Sequence, residues 1–482
     1  MSSPILRDDA SGVVVDLHRA PAAGDTTAAL AAMTALDGGA VANMDEHRMV
    51  GHYWLRNPDL APTAAIRDTI TATLEQIRAF APGPFKTLVQ IGVGGSALGP
   101  ELANDALRGA DAPEFEVLDT VDPVAVSEFL ARIDPEHTLV IVASKSGSTI
   151  ETSIATDLVE AHFERCGVSF ADRAIAVTIP GSRLAERARD WKATFPMFDW
   201  VGGRTSVCSA VGLLPMHLLG IDIDAFIEGA AAMDAWNRCP PPNNPAAHIA
   251  LLWTQDSCNE LCVIPYAHRL RHLSRYLQQL IMESLGKAND RDGRAVHTGL
   301  TVYGNKGSAD QHAIVQQLRD GPAGVHVHLI DVAAPADATV RAAADVQFAL
   351  HAGTGDALAE VGRPVVSISL PRMDARALGG LIALYERAVG VAAELLNINA
   401  YNQPGVEAGK KAASVQLAQL DAVYAHLNAT GQTAQQLSDA AGISFHRTWR
   451  LAGHLVATGR ARATLGKAPS EDRFEAVENS SK

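Results

Sequence analysis

The chain has 482 residues, of which 47% are hydrophobic and 20% charged, and a formal net charge of −14. That length is too great for one ordinary core and calls for two or more domains, the composition excludes a disordered chain, and the acidic balance argues against a general nucleic-acid binder. No apolar run has the length of a spanning helix, the N-terminus lacks a basic region followed by an apolar block, and the cysteines, Cys166, Cys208, Cys239, Cys258 and Cys262, are scattered and odd in number; reduced thiols in a cytoplasmic protein without a metal cluster are expected.

Residues 1–84 are Ala-rich and read as mostly helical, with a break at Asp37-Gly38-Gly39-Ala40 and a linker at Ala81-Pro82-Gly83-Pro84. Short apolar runs then recur at Lys86–Val93, Phe115–Leu118, Thr138–Ala143 and Ala174–Ile179, separated by helix-length segments. This rhythm predicts a parallel sheet covered on both faces. The Pro-rich stretch from Arg238 to Pro245 reads as a loop or linker. A second alternating set follows at Glu260–Ile264, Thr298–Tyr303, Val325–Ile330 and Pro364–Leu370, then a long apolar helix over Leu378–Leu396. The expected organisation is two α/β domains, residues 85–238 and 246–412, after a helical N-terminal region and before a helical tail, residues 413–482.

Two loops at the ends of strands carry chemistry. The first, Gly92-Val93-Gly94-Gly95-Ser96-Ala97-Leu98-Gly99-Pro100, lets the backbone approach a ligand at a helix N-terminus. Gly92, Gly94 and Ala97 also fit a dinucleotide fingerprint, with Asp119 placed to hold a ribose. Taken alone, this loop leaves a dehydrogenase, a sugar or monophosphate site, and a plain turn all open. The second, Ser144-Lys145-Ser146-Gly147-Ser148-Thr149-Ile150-Glu151-Thr152, crowds five hydroxyls and a lysine into nine residues. A capping box from Ser148 to Glu151 accounts for part of it. The remaining hydroxyls and backbone N–H groups suit three phosphate oxygens, so phosphate binding is favoured.

With these residues the chain resembles the phosphoglucose isomerase family. Residues 144–152 are similar to its Ser-Lys-Thr-x-Thr-Thr-x-Glu-Thr signature, Val201–Ser206 to its Gly-Gly-Arg block and Tyr276–Lys287 to its Gln-Gln-x-x-Met-Glu-Ser-x-Gly-Lys block. Gly307–His312 resembles the block ending Gly-Gln-His, and Asn402–Lys410 the block Asp-Gln-Trp-Gly-Val-Glu-x-Gly-Lys. Five blocks stand in the family's order across residues 40–412. The departures are Ser146, Ser148, Gly147, Thr205, Asp310 and Pro404. The resemblance implies two sugar-isomerase (SIS) domains, each a parallel sheet between helices.

It also implies interconversion of glucose 6-phosphate and fructose 6-phosphate through an enediol in glycolysis and gluconeogenesis, with no cofactor and no metal. In those terms Glu283 is the base that shuttles the proton and Arg204 the enediolate partner. His312 and Lys410 open the sugar ring, with Glu151 orienting His312. Gly95, Ser96, Gly203, Gln279 and Gln403 line the sugar, and Ser144, Lys145, Ser146 and Thr149 hold the phosphate, Lys145 chiefly through its backbone N–H. The family's histidine reaches the neighbouring subunit's site, so a homodimer with shared sites is implied. Action on mannose 6-phosphate as well, or a non-catalytic sugar-phosphate sensor, are the alternatives; the joint presence of Glu283, His312 and Lys410 speaks against the sensor.

In the tail, Thr433–Ala441, Phe445–Ala457 and Gly459–Arg462 have the spacing of a small helix-turn-helix with a wing. The charge of the whole chain favours a helical cap on the main body over DNA binding.

Overall fold

Strand Thr138–Ala143 buries all six of its side chains, as an uninterrupted apolar run must when helices cover both faces of a parallel sheet. The computed structural model describes residues 5–8, 10–20, 23–255, 257–333 and 337–477. Thr138–Ala143 is the central strand of a five-stranded parallel sheet ordered Glu114–Leu118, Thr87–Ile91, Thr138–Ala143, Ala174–Thr178, Ala193–Pro196. The order reverses between the first two strands and the rest, which opens a crevice at the carboxyl ends of Thr87–Ile91 and Thr138–Ala143. The last strand, Ala193–Pro196, lies beyond the four apolar runs visible in the sequence. It is short, mixed in polarity and only partly buried, as an edge strand is.

The second sheet has six strands, ordered Ile5–Arg7, Val14–Arg19, Val365–Leu370, Val325–Val332, Glu260–Pro265, Thr301–Tyr303. The last four are parallel; the first two are antiparallel and come from the N-terminus. The helical reading of the N-terminal region therefore holds for Thr27–Asp37 and Ala64–Ala79 but not for its first residues. There Val13, Val15 and Leu17 are buried in alternation, a period of two that the Ala-rich context hides. The expected apolar helix is Ala375–Leu395, buried along most of its length.

Both sheets lie in one compact unit that ends at Asn402, and a second unit begins at Gln403. The Pro-rich stretch after Arg238 therefore does not divide compact units. The second unit is not purely helical: with its helices it carries a three-stranded sheet of Gln432–Thr433, Arg473–Ala476 and Ala461–Thr464. Among the described residues no helix is long and apolar enough to cross a membrane.

A buried ionic network ties the first unit together. Asp234, on helix Ile223–Trp236, accepts hydrogen bonds from Arg56 (3.1 Å), Arg387 (2.7 Å) and Arg238 (2.6 Å). Arg56 also bonds Glu386 at 2.6 Å, and the Arg387 guanidinium lies 3.9 Å from the Tyr53 ring centre. Burial works against a charge on Asp234, but the arginines hold its carboxyl well below the usual carboxylate range. Removing one partner of such a cluster leaves the others charged and dry. Asp234→Asn is expected to cost about 3–5 kcal/mol of unfolding free energy, read from urea denaturation; a loss under about 1 kcal/mol, the worth of a surface pair, would show that the network is not needed for stability.

Candidate active site

The loops that follow the strands converge on one point. After strand Thr87–Ile91 the backbone turns at Gly94 (φ +58°) into helix Gly95–Leu107. A Cβ on Gly95 would lie 1.9 Å from the carbonyl oxygen of Gly203, and one on Gly94 would lie 2.8 Å from Nε2 of Gln279. Only glycine allows this approach. It brings the Gly202-Gly203-Arg204 turn and the helix carrying Gln279 against the first glycine loop.

That helix is wound as a π-turn over Gln278–Met282, between Leu273–Leu277 and Glu283–Leu285. Such turns shift the side-chain register and recur at functional sites. Here Glu283 begins the segment after the π-turn, and its Oε1 stands 2.9 Å from Nη1 of Arg204. The Glu283 side chain keeps 15% of its surface exposed and that of Arg204 only 4%. Burial pulls the Arg204 guanidinium below its ordinary value, and the Glu283 carboxylate opposes that shift.

Arg204 is held from behind. Its Nη2 donates to the carbonyl oxygens of Ala400 (2.7 Å) and Asn402 (2.9 Å). The same Asn402 oxygen accepts from Lys287 Nζ at 3.3 Å, and Lys287 also donates to the Glu283 backbone oxygen at 2.7 Å. Asp45 fixes the 399–402 turn by accepting from the side-chain amides of Asn399 and Asn402. Lys287 and Asp45 thus hold the Arg204–Glu283 pair although sequence reading did not single them out. Lys287 closes the Gln-Gln-x-x-Met-Glu-Ser-x-Gly-Lys block and was legible there; Asp45 sits in no block that marked it.

The hydroxyl loop follows strand Thr138–Ala143. Gly147 is left-handed (φ +67°), and a Cβ there would lie 2.3 Å from the Leu184 backbone nitrogen, so this departure from the family pattern fits its neighbour. Ser144 Oγ accepts the Gly147 N–H at 3.1 Å, and Ser146 and Ser148 share a hydroxyl bond of 2.6 Å. The capping box expected from Ser148 to Glu151 does not form. Thr149 is the N-cap of helix Ile150–Arg165, and its hydroxyl makes no capping bond. A cavity of about 360 Å³ beside the loop is lined by Ser144, Gly147, Ser148, Thr152 and Arg183 among others. Lys145 turns its ammonium inward, to the oxygens of Asp199 (2.7 Å) and Val201 (3.0 Å). It thereby ties this loop to the segment just before Gly202. Burial lowers the Lys145 ammonium to about 8.

Of the remaining candidates, Ser96, Glu151 and His312 make no hydrogen bond to Arg204 or Glu283. Ser96, on the first turn of helix Gly95–Leu107, is half-buried, and its backbone carbonyl oxygen accepts from Gln90 Nε2 at 2.6 Å. Glu151 and His312 are both exposed and make no bond to each other. His312 ends the turn Asp310–His312, where Asp310 accepts from the Asn305 backbone N–H at 2.7 Å. Lys410 and Gln403 lie in the second unit: Gln403 is the N-cap of helix Pro404–His426, and Lys410 pairs with Glu407 at 2.8 Å. Among the described residues no group of three or more His, Cys, Asp or Glu is placed to hold a metal ion.

A parallel sheet whose carboxyl ends present a hydroxyl loop and a glycine loop, a second, mostly parallel sheet, and an Arg–Glu pair beside the glycine loop define an α/β sugar-phosphate isomerase. Comparison with known proteins narrows the class: the phosphoglucose isomerase family model matches residues 20–360 and 358–435, and the chain belongs to that family. A glucose-6-phosphate isomerase of Synechococcus sp. (strain JA-3-3Ab) is 49% identical over 419 residues, 81% of this chain and 79% of that protein. One from Thermosynechococcus vestitus is 44% identical over 476 residues, covering 92% and 90%. Among solved structures, a glucose-6-phosphate isomerase of Chlamydia trachomatis superposes with a TM-score of 0.76 at 26% identity, covering 85% of this chain and 89% of that one.

Lys287 gives the site a pH signature. Burial and the nearby Arg204 lower its ammonium to about 8, while Glu283 works the other way. Between about pH 8 and the ordinary lysine value of 10.5 the unfolded chain binds more protons at this position, so its term in stability rises with pH and is lost again as pH falls through 8. Urea unfolding at pH values across that window is expected to show wild type gaining stability relative to Lys287→Met as pH rises; a constant difference would mean that Lys287 keeps an ordinary value.

Proposed function

We propose that this chain interconverts glucose 6-phosphate and fructose 6-phosphate through a cis-enediol, without a cofactor or a metal, in the cytoplasm. The Arg204–Glu283 contact carries this reading. It sets a carboxylate base beside a cation that keeps its proton, at the mouth of two loops suited to a phosphosugar. In the open-chain aldose, Glu283 takes the proton from C2 as the C1 oxygen gains negative charge. Arg204 offsets that charge at low energetic cost because it is already oriented by the Ala400 and Asn402 carbonyls. Glu283 returns the proton to C1 as the proton of the C2 hydroxyl passes to the C1 oxygen, and the ketose is formed.

Ser144, Ser146, Thr149 and the Lys145 backbone N–H hold the phosphate, at the start of a 16-residue helix whose N-terminal amides favour an anion. Gly95, Ser96, Gly203, Gln279 and Gln403 line the sugar. His312 and Lys410 exchange the protons of ring opening, with Glu151 orienting His312. In this reading residues 85–238 and 246–412 are the two sugar-isomerase domains. The exposure of both Glu151 and His312, unjoined within one chain, supports a homodimer in which His312 serves the neighbouring subunit's site.

Mixing tests roles and sharing together. Glu283→Gln and His312→Ala dimers are each expected to lose activity by about a hundredfold or more. Hybrids refolded from the two carry one site with both lesions and one with neither, and regain a fraction of wild-type turnover. Verified hybrids that stay inactive would place His312 in its own subunit's site or outside catalysis.

A further inference from the structure

Between Ala440 and Lys467 the chain has no acidic residue and five basic ones, Arg447, Arg450, Arg460, Arg462 and Lys467. The second unit arranges them on a recognisable frame. Helix Ala434–Ala441 starts with a full capping box from Thr433 to Gln436 and ends at left-handed Gly442 (φ +67°). Helix Phe445–Ala457 follows after a short turn, and strands Ala461–Thr464 and Arg473–Ala476 form an antiparallel hairpin. Strand Gln432–Thr433 pairs with the second arm of that hairpin, giving the order Gln432–Thr433, Arg473–Ala476, Ala461–Thr464. This is a helix-turn-helix with a β-hairpin wing.

The turn is pinned, because the Ser438 and Thr448 hydroxyls both donate to the Ile443 oxygen. The wing is pinned to the second helix. Asp472 accepts from Trp449 Nε1–H (2.9 Å) on one carboxylate oxygen and from the Gly466 N–H (2.9 Å) on the other. Val423, Leu437, Ala452, Leu455 and Phe474 form a separate core. Helix Phe445–Ala457 spends Thr448, Ala452 and Leu455 on that core and exposes His446, Arg447, Arg450 and His454 on the opposite face. Arg462 and Lys467 are exposed on the wing. Of the carboxylates on the wing, Asp472 is buried as described, Glu471 accepts the Lys467 N–H at 2.8 Å, and Glu475 stands opposite Arg462 across the hairpin.

We propose that this unit binds double-stranded DNA. Helix Phe445–Ala457 enters the major groove with Arg447 and Arg450, and Arg462 and Lys467 of the wing meet phosphates. Isomerisation uses none of these side chains, and the family match ends at residue 435, before the turn, the second helix and the wing. The net charge of −14 pointed the other way. But that figure averages the whole chain, whereas charges more than about 10 Å apart are largely screened at physiological salt, and the exposed face of this helix is free of acid.

The test uses the full-length protein and a fluorescein-labelled mixed-sequence DNA duplex of about three helical turns, followed by anisotropy as salt is raised from about 50 mM. The expected result is binding that weakens with a log–log salt slope of about −3, the value for three to four neutralised phosphates. Combined Arg447→Glu, Arg450→Glu and Arg462→Glu is expected to weaken binding at least about tenfold with isomerase turnover unchanged. The matching triple lysine variant, which keeps the charge, retains most of the affinity and shows that the loss is not one of folding. The proposal is overturned by no binding at the lowest salt, by affinity that survives charge reversal, or by a preference for single-stranded over duplex nucleic acid.

Discussion

The contact between Arg204 and Glu283 is the constraint around which the first unit is arranged. An ion pair with so little solvent gains its Coulomb energy only after two charges have been desolvated, a cost that must be offset by further hydrogen bonds. The chain supplies them from distant segments. The 399–402 turn gives two carbonyls to Arg204, Lys287 bridges that turn to the Glu283 backbone, and Asp45 clamps the turn from the N-terminal side. The glycines at 94 and 95 remove the side chains that would keep Gly203 and Gln279 away. Each of these groups is therefore placed by the need to keep one charged pair oriented and partly dry, which is the condition under which a fixed cation stabilises developing negative charge most effectively.

Departures from the family's pattern are accommodated locally. Asp310 stands where glycine is usual, and its carboxylate closes the turn onto Asn305, so the backbone before His312 is held by a side chain. Pro404 replaces tryptophan at the first position of helix Pro404–His426, where a missing N–H costs nothing. Gly147 lets the hydroxyl loop pass against Leu184. Thr205 is buried, with its hydroxyl on the Gly202 oxygen at 3.3 Å.

Much of this was legible in the sequence because the parallel strands stand out as short apolar runs, six of them buried along most of their length and Glu114–Leu118 and Thr301–Tyr303 only partly. Eight of them could be read to within a few residues, and the loops after two carried the glycines and hydroxyls that named the ligand class. The strand Val14–Arg19 was not legible as such, since its pairing with Val365–Leu370 joins residues some 350 positions apart in sequence. Edge strand Ala193–Pro196 has too little apolar character to stand out. In the site, Glu283 and Arg204 were readable from their blocks, whereas the carbonyls of Ala400 and Asn402 act through backbone geometry that leaves no residue-type signature, and the Asp45 carboxylate acts on partners some 350 positions away in sequence. The wing topology of the second unit follows from which strands pair, and local pattern alone gave only the helix pair and the basic stretch.

The central claim is that Glu283 carries a proton between two carbons beside a fixed cation. It is tested most directly by running the reaction in deuterium oxide and reading the label at C1 of fructose 6-phosphate by NMR. A carboxylate base exchanges part of its proton with solvent during the life of the enediol, so wild type is predicted to incorporate deuterium at C1, and Glu283→Gln to lose that incorporation together with turnover. Turnover without any solvent label, as in a direct hydride shift, or label that persists in Glu283→Gln, would contradict the account.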